Sequence, residues 1–174
     1  MGRIRYAVLA LALSTQTAAT QEQMMELDPE WEFVADTVMG GVSEGEIEQV
    51  TLDGRAAMRL HGAVSLENNG GFIQMAFDMP QGGEWAGIEI DLRGNGAQYE
   101  VRLRTDELSR PWHSYRAVFD TSGEWQTLRL PWAAFERNKT DVPFDPARLR
   151  RMGVLAYGAE MQADIAVASV RYFK

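Results

Sequence analysis

The chain has 174 residues, 45% of them hydrophobic and 24% charged, a composition typical of one globular domain. Its formal net charge of -8 argues against a nucleic-acid partner, because binding to phosphates requires a basic face. The chain has no cysteine, which excludes disulfides, a thiolate nucleophile and cysteine-ligated zinc.

The first 19 residues have the three-part pattern of a secretory signal peptide. Arg3 and Arg5 precede the apolar run YAVLALAL, and small residues follow up to a cleavage position after Ala19. The apolar run is too short to span a bilayer, and no later segment is apolar enough, so the processed protein is not expected to be transmembrane. The sequence therefore predicts an exported, periplasmic protein. If this segment is not a signal peptide, a cytoplasmic or mitochondrial location is the alternative.

Residues 20–30 are interpreted as a polar lead-in, and residues 31–174 as one domain of strands and turns. Strands are predicted in EIEQVTLDG, RAAMRLHG, GGFIQMAFDMP, AGIEIDLRGNG, AQYEVRLRT, HSYRAVFD, WQTLRLP, RRMGVLAYG and ADIAVASVRYF. Only PWAAFERN and DPARLRR suggest helical turns, the second because Asp145 and Pro146 form a helix start. Eight to ten short strands at near-regular spacing predict an all-β sandwich.

The stretch DTVMGGVSEG, residues 36–45, raises the question of a ligand-binding loop. It has no lysine after its glycines and carries acids where a phosphate would lie, so a nucleotide site is not expected. GVSEG matches the Gly-x-Ser-x-Gly pattern around Ser43. However, a strand pattern follows where a hydrolase elbow requires a helix, and only His61 or His113 could serve as the base.

Metal and catalytic sites find little support in the sequence. Calcium could use acids such as Asp36, Asp120, Asp145 and Asp164, but their spacing matches no calcium loop, so we expect no metal and no cofactor.

The strand EIDLR resembles the Glu-x-Asp-x-Glu strand of laminarinase-like jelly-roll enzymes. Glu89 and Asp91 would be the catalytic carboxylates, but Arg93 stands where the last glutamate would be. We therefore predict a protein that is not an enzyme. Because Glu89 and Asp91 alternate with apolar residues, both are expected on a solvent-facing surface from which their removal costs little.

Aromatic residues near strand ends offer a different function. Trp85, Trp112, His113 and Tyr115 could stack on sugar rings, as in glycan-binding β-sandwich modules. The alternative is that these rings cover the core, which is the commoner place for tryptophan.

Several stretches together resemble the complex I intermediate-associated protein 30 family. They are WEFVADTVMGGVSEGEI, AVSLENNGGFIQM, LRGNGAQYEVRLRT, YRAVFDTSGEWQTLRLPWAAF and RRMGVLAYG, which cover residues 31–173 in order. The resemblance implies a jelly-roll β-sandwich of the galactose-binding-like type. It also implies a role in assembling mitochondrial NADH:ubiquinone oxidoreductase, with no catalytic residue and no cofactor.

In the light of this resemblance, DTVMGGVSEG and NNGGF are interpreted as two structural turns that could lie side by side. Met39 and Val42 are expected to be apolar plugs, and asparagine and glycine suit positive φ angles. The residues assigned to these turns are Asp36, Met39, Gly40, Gly41, Ser43, Asn68, Asn69, Gly70, Gly71 and Phe72.

Two functions remain open. The first is a non-enzymatic binding module that aids assembly or stability of a membrane-associated complex, with protein partners such as respiratory-complex subunits. The second is an exported glycan-binding module on the same fold. An open aromatic platform would favour the glycan, and a broader apolar or charged patch would favour the protein partner.

Overall fold

A computed structural model of the chain describes residues 22–174. In this part the chain forms twelve strands: β1 Met24–Glu26, β2 Glu32–Ala35, β3 Glu44–Leu52, β4 Arg55–Val64, β5 Phe72–Asp78, β6 Gly87–Gly94, β7 Gln98–Thr105, β8 Ser114–Asp120, β9 Gln126–Pro131, β10 Glu136–Asn138, β11 Leu149–Tyr157 and β12 Met161–Phe173. Four 3-10 turns connect them, at Asp36–Met39, Glu67–Asn69, Trp132–Ala134 and Pro146–Arg148. The predicted signal peptide lies outside the described residues.

The strands form two antiparallel sheets. The back sheet has the order β3-β4-β12-β6-β9, and β1 also pairs with β12. The front sheet has the order β10-β8-β7-β11-β5-β2. Because strands far apart in sequence are neighbours in both sheets, the order within each sheet depends on tertiary packing rather than on local hairpins alone.

The core lies between the two sheets and follows the alternation of the strands. Ile88, Ile90 and Leu92 of β6 are fully buried, as their period-two spacing predicts. Val101 of β7 and Val154 of β11 belong to the same buried cluster. The two sheets therefore bury one face each and turn their other faces outward.

The all-β sandwich predicted from the sequence is confirmed, with two corrections. Residues 24–26, predicted to belong to the lead-in, form β1, whose backbone pairs with the end of β12. The strand count is higher than predicted because β1, β2 and β10 have only three or four residues each, too few for a visible alternation. Both predicted helical segments contain one 3-10 turn, and Asp145 caps the second by accepting from the Ala147 amide.

Among the residues that the structure describes, no helix has both the length and the apolarity needed to cross a bilayer.

Candidate functional site

Asp36 is a fully buried carboxylate that holds the two turn motifs together. The Ser43 amide donates to it at 3.0 Å, and the Gly71 amide at 2.6 Å. The Ser43 hydroxyl and the Phe72 amide also donate to the same carboxylate. The turn that contains residues 36–43 is therefore fastened to the NNGGF turn, 35 residues away, through one side chain.

The pKa of Asp36 reflects two opposing influences. Burial raises the pKa, but the hydrogen bonds from Ser43, Gly71 and Phe72 lower it by more, so the net pKa lies below the ordinary value. The carboxylate is therefore ionised at neutral pH, and its four donors are each satisfied.

The glycines of both motifs are needed for two reasons: one has a positive φ, and others leave room for the Asp36 carboxyl group. Gly40 has a φ of 93°, which permits the turn after Met39. Gly41 and Gly70 have no such φ, but a Cβ on either would come within 2.3 Å or 2.4 Å of the Asp36 carboxyl group. Asn68 and Asn69 have φ angles of 55° and 58°, where the sequence predicted positive values. The two motifs are thus turns built around Asp36.

The prediction that Met39 and Val42 are buried plugs is wrong. Met39 is 59% exposed and Val42 is 42% exposed, while Val38, beside Met39, is 75% exposed. Because Asp36 and Gly40 fix this short turn from both sides, Val38 and Met39 are held out into solvent. These two side chains are called the apolar rim below.

A groove of about 380 Å³ runs over the outer face of the front sheet, beside the apolar rim. Strands β2, β5, β7 and β11 form most of it, and loops close its ends. Its main lining residues are Val34, Phe72, Gln74, Ala76, Arg102, Arg104, Arg151, Gly153, Leu155 and Tyr157 from the strands, and Val38, Met39, Asn69, Trp112 and Lys139 from the loops.

The depth of the groove comes from side-chain size along one row of the sheet. Gly153 pairs with Ala76 of β5 on one side and with Arg102 of β7 on the other. The two small residues form a low floor, and long side chains stand around it. The side chains of Gln74 and Leu155 lie close over Gly153, since a Cβ there would be 3.0 Å from Gln74 Oε1 and 3.2 Å from Leu155 Cδ1.

The charged residues that line the groove are all basic. Its lining includes Arg102, Arg104, Arg151 and Lys139, and no aspartate or glutamate. Arg102 donates to Glu100, and Arg151 donates to Glu32 and Asp78. Arg104, in contrast, donates to the backbone carbonyls of Leu108, Arg110 and Pro111. An acidic protein thus presents a basic groove on its front sheet.

Two aromatic rings reach the groove, but neither is a free platform. Trp112 is 46% exposed and Tyr157 is 37% exposed. The guanidinium of Arg102 lies 4.0 Å from the centre of the Tyr157 ring, and that of Arg110 lies 5.4 Å from the Trp112 ring. One face of each ring is therefore occupied by a cation–π contact.

The structure does not bring the four predicted aromatic residues together. Trp112 lines the groove, and His113 packs edge-on against it with ring centres 6.2 Å apart. Trp85 stacks on Tyr172, and Tyr115 is fully buried. The prediction that Tyr115 meets a ligand is therefore wrong, because its inward position on β8 places the ring in the core.

The sequence analysis missed the arginines of the groove. The alternation in EVRLRT places Arg102 and Arg104 on the face opposite Val101 and Leu103, so their common orientation was visible in the pattern. Arg151 and Lys139 come from distant segments, and no local signal links them to β7.

Glu89 and Asp91 lie on the outer face of the back sheet, but they are not free surface acids as predicted. Arg171 donates to both carboxylates, and Arg129 donates to Glu89, which is only 8% exposed. The hydrogen bond from Arg171 lowers the pKa of Asp91 to about 2. Asp91 therefore lacks the raised pKa of a general acid. Removal of Glu89 and Asp91 would leave Arg171 with only Ser169 and, at 3.9 Å, Glu26 as partners.

The other polar candidates are also held by donors from the protein. Asp164 accepts from Arg59, and Asp120 accepts from Gln98. Within residues 22–174 no group of three or more histidine or acidic side chains is placed to hold a metal ion. Ser43 is 1% exposed, and its hydroxyl is engaged by Asp36 and by the Ser65 amide, which differs from the exposed hydroxyl of a hydrolase elbow.

Comparison with known families shows which family the chain resembles. The profile described as complex I intermediate-associated protein 30 matches residues 19–166, as the sequence resemblance predicted. Comparison with curated protein sequences gives no match.

Solved structures share the fold at low sequence identity. The family 11 carbohydrate-binding module from Clostridium thermocellum, in complex with a β-1,3-1,4-mixed-linked tetrasaccharide, is 12% identical, with a TM-score of 0.69 over 88% of this chain and 96% of that one. The family 30 module of a cellulosomal cellulase of Clostridium thermocellum is 14% identical, with a TM-score of 0.57 over 86% and 96% of the two chains.

Proposed function

Because the chain belongs to the complex I intermediate-associated protein 30 family, we propose that it is a non-enzymatic binding module that aids the assembly or stability of a membrane-associated protein complex. The observation that carries this proposal is the groove of the front sheet with its apolar rim. Exposed aliphatic side chains beside arginines and aromatic rings are typical of protein-binding surfaces. The proposed partner is a protein subunit that seats in this groove.

From the predicted signal peptide we also propose where the protein acts. An exported module would meet the complex on the periplasmic side of the membrane, away from an NADH-oxidising arm on the cytoplasmic side. The fold would then be kept while the partner differs from that of the mitochondrial members, since a fold does not determine its partner.

Capture of the partner from native membranes tests the proposed function. Tagged wild-type protein is compared with a Val38→Ser, Met39→Ser double variant and with Val118→Ser, a control that alters a valine 48% exposed on β8. Loss of two buried apolar contacts removes about 2 kcal/mol or more of binding, so we expect at least roughly a tenfold drop in capture. The Val118→Ser variant should capture the same subunits as the wild type. If no membrane subunit depends on the apolar rim, the proposal is wrong.

A second candidate function, glycan binding, is favoured by one specific observation. Trp112 is 46% exposed at the end of a groove, on a fold shared with carbohydrate-binding modules. Affinity electrophoresis in gels that contain mixed-linked β-glucan would reveal this activity. Retardation of the wild type that is lost in Trp112→Ala would favour the glycan over the protein partner.

A further inference from the structure

We propose that the groove of the front sheet binds an extended acidic peptide segment, with carboxylates at Arg104 and Lys139 and an apolar side chain on the apolar rim. This inference rests on the proposed function and names the chemistry of the partner. The segment would run along the groove and cross the row of Ala76, Gly153 and Arg102.

The distribution of charge supports an anionic ligand. The whole chain has 25 acidic and 17 basic residues, yet the groove is lined by four basic residues and no acidic one. Glu100 pairs with Arg102, and Glu32 and Asp78 pair with Arg151, so the positive charge left to attract a carboxylate is that of Arg104 and Lys139. Such a groove would also increase the association rate of an acidic segment at low ionic strength.

Two of the four cations have no carboxylate partner among the described residues. Arg104 donates only to backbone carbonyls, and burial together with Arg150 and Arg151 lowers its pKa. Lys139 is exposed, has a φ of 58° and makes no ion pair with any residue that the structure describes. The partly buried guanidinium of Arg104, beside two other arginines, gains from a bound anion, because the anion offsets both the desolvation and the repulsion.

Arg102 supplies further binding capacity at the floor of the groove. Its Nε donates to Glu100, while its Nη2 atom is buried and has no hydrogen-bond partner in the described part of the chain. A polar atom of this kind is costly unless a partner satisfies it. A carboxylate or backbone carbonyl of a bound peptide would do so.

The apolar rim favours a peptide over an acidic sugar. Sugars place their apolar faces on open aromatic rings, but Arg102 and Arg110 already cover one face of Tyr157 and Trp112. Val38 and Met39 are aliphatic and exposed, so they suit a leucine-type or valine-type side chain. A peptide that carries both glutamate and leucine can pair its carboxylates with Arg104 and Lys139 and place its leucine side chains on the apolar rim.

The experiment measures binding of defined peptides to the full-length protein by fluorescence anisotropy. The probe is a labelled eight-residue peptide of alternating leucine and glutamate, and its matched control has glutamine in place of glutamate. We expect the glutamate peptide to bind at least tenfold more tightly and to weaken as salt rises. Lys139→Gln should weaken it about three- to tenfold, whereas Arg93→Gln, on the back sheet, should leave it unchanged.

Four outcomes would overturn the inference. Equal affinity for the two peptides would exclude charge recognition, and unchanged binding in Lys139→Gln would place the peptide elsewhere. If an oligogalacturonate binds more tightly than the glutamate peptide and depends on Lys139 in the same way, the ligand is an acidic glycan. Because Arg104 also holds the loop before Trp112, Arg104→Gln is used only with a melting curve that matches the wild type. Rim-dependent capture of a membrane subunit with no acid dependence would leave the proposed function standing and refute this inference alone.

Discussion

Replacing Asp36 by alanine is expected to lower the free energy of unfolding by about 3–5 kcal/mol, the largest effect we predict for a single side chain. The substitution leaves four donors from Ser43, Gly71 and Phe72 without their shared acceptor. Each hydrogen bond to a charged group contributes about 1.5–3 kcal/mol, and partial rehydration recovers part of the sum. For a domain of this size the melting temperature should fall by roughly 10–15 °C.

The matched control is Asp120→Ala, which removes an exposed acid that accepts from Gln98. Its effect should stay within about 0.5 kcal/mol, as is usual for surface substitutions. Chemical denaturation of the wild type and of both variants gives the comparison. A free energy of unfolding for Asp36→Ala equal to that for Asp120→Ala would show that Asp36 does not fasten the two turns.

The same carboxylate should make stability depend on pH. Because its folded-state pKa is lowered, the stability it contributes is complete above the unfolded value of 3.8. That contribution is lost as the pH falls through the folded-state pKa. An Asp36→Asn variant should therefore be less stable than the wild type at neutral pH, and the difference should shrink in acid. A constant difference between pH 7 and pH 2 would argue against an ionised Asp36.

The back sheet illustrates how much of the fold the sequence could predict. Ile88, Ile90 and Leu92 alternate with charged residues, and the two faces of β6 follow directly from this pattern. The pattern could not show that Arg171 of β12 lies beside Glu89 and Asp91. That contact depends on which strands become neighbours, and here the neighbours are about 80 residues apart. The predicted orientation was right, and the predicted exposure was wrong.

The same limit applies to the groove. Its floor requires Ala76, Arg102 and Gly153 in one row, and these residues come from three strands that only the folded sheet aligns. The turn motif was recognised from its glycines, but the role of Asp36 depends on amides of a second turn. Local sequence predicts that a turn needs small residues. It does not predict that the space beside these glycines is occupied by the carboxylate of a residue from another turn.

The glycines beside Asp36 provide the second large prediction. Gly41→Ala is expected to cost about 3 kcal/mol, because the new Cβ would lie 2.3 Å from the Asp36 carboxyl group and would displace it from its donors. Gly40→Ala is the matched control on the adjacent residue. Its Cβ would meet nothing within 4 Å, so its only cost is the positive φ, about 1–2 kcal/mol.

A double-mutant cycle separates this cause from general damage to the turn. If Gly41→Ala acts by displacing the Asp36 carboxylate, its cost should largely vanish in an Asp36→Ala background, which gives a coupling of about 2 kcal/mol. The cost of Gly40→Ala comes from the backbone and should stay the same in both backgrounds. Urea unfolding of the wild type, the three single variants and the two double variants measures both terms. Additive costs for Gly41→Ala and Asp36→Ala would mean that Gly41 is needed for the backbone conformation and not for the position of the carboxylate. The interpretation of the two motifs as turns built around Asp36 would then be wrong.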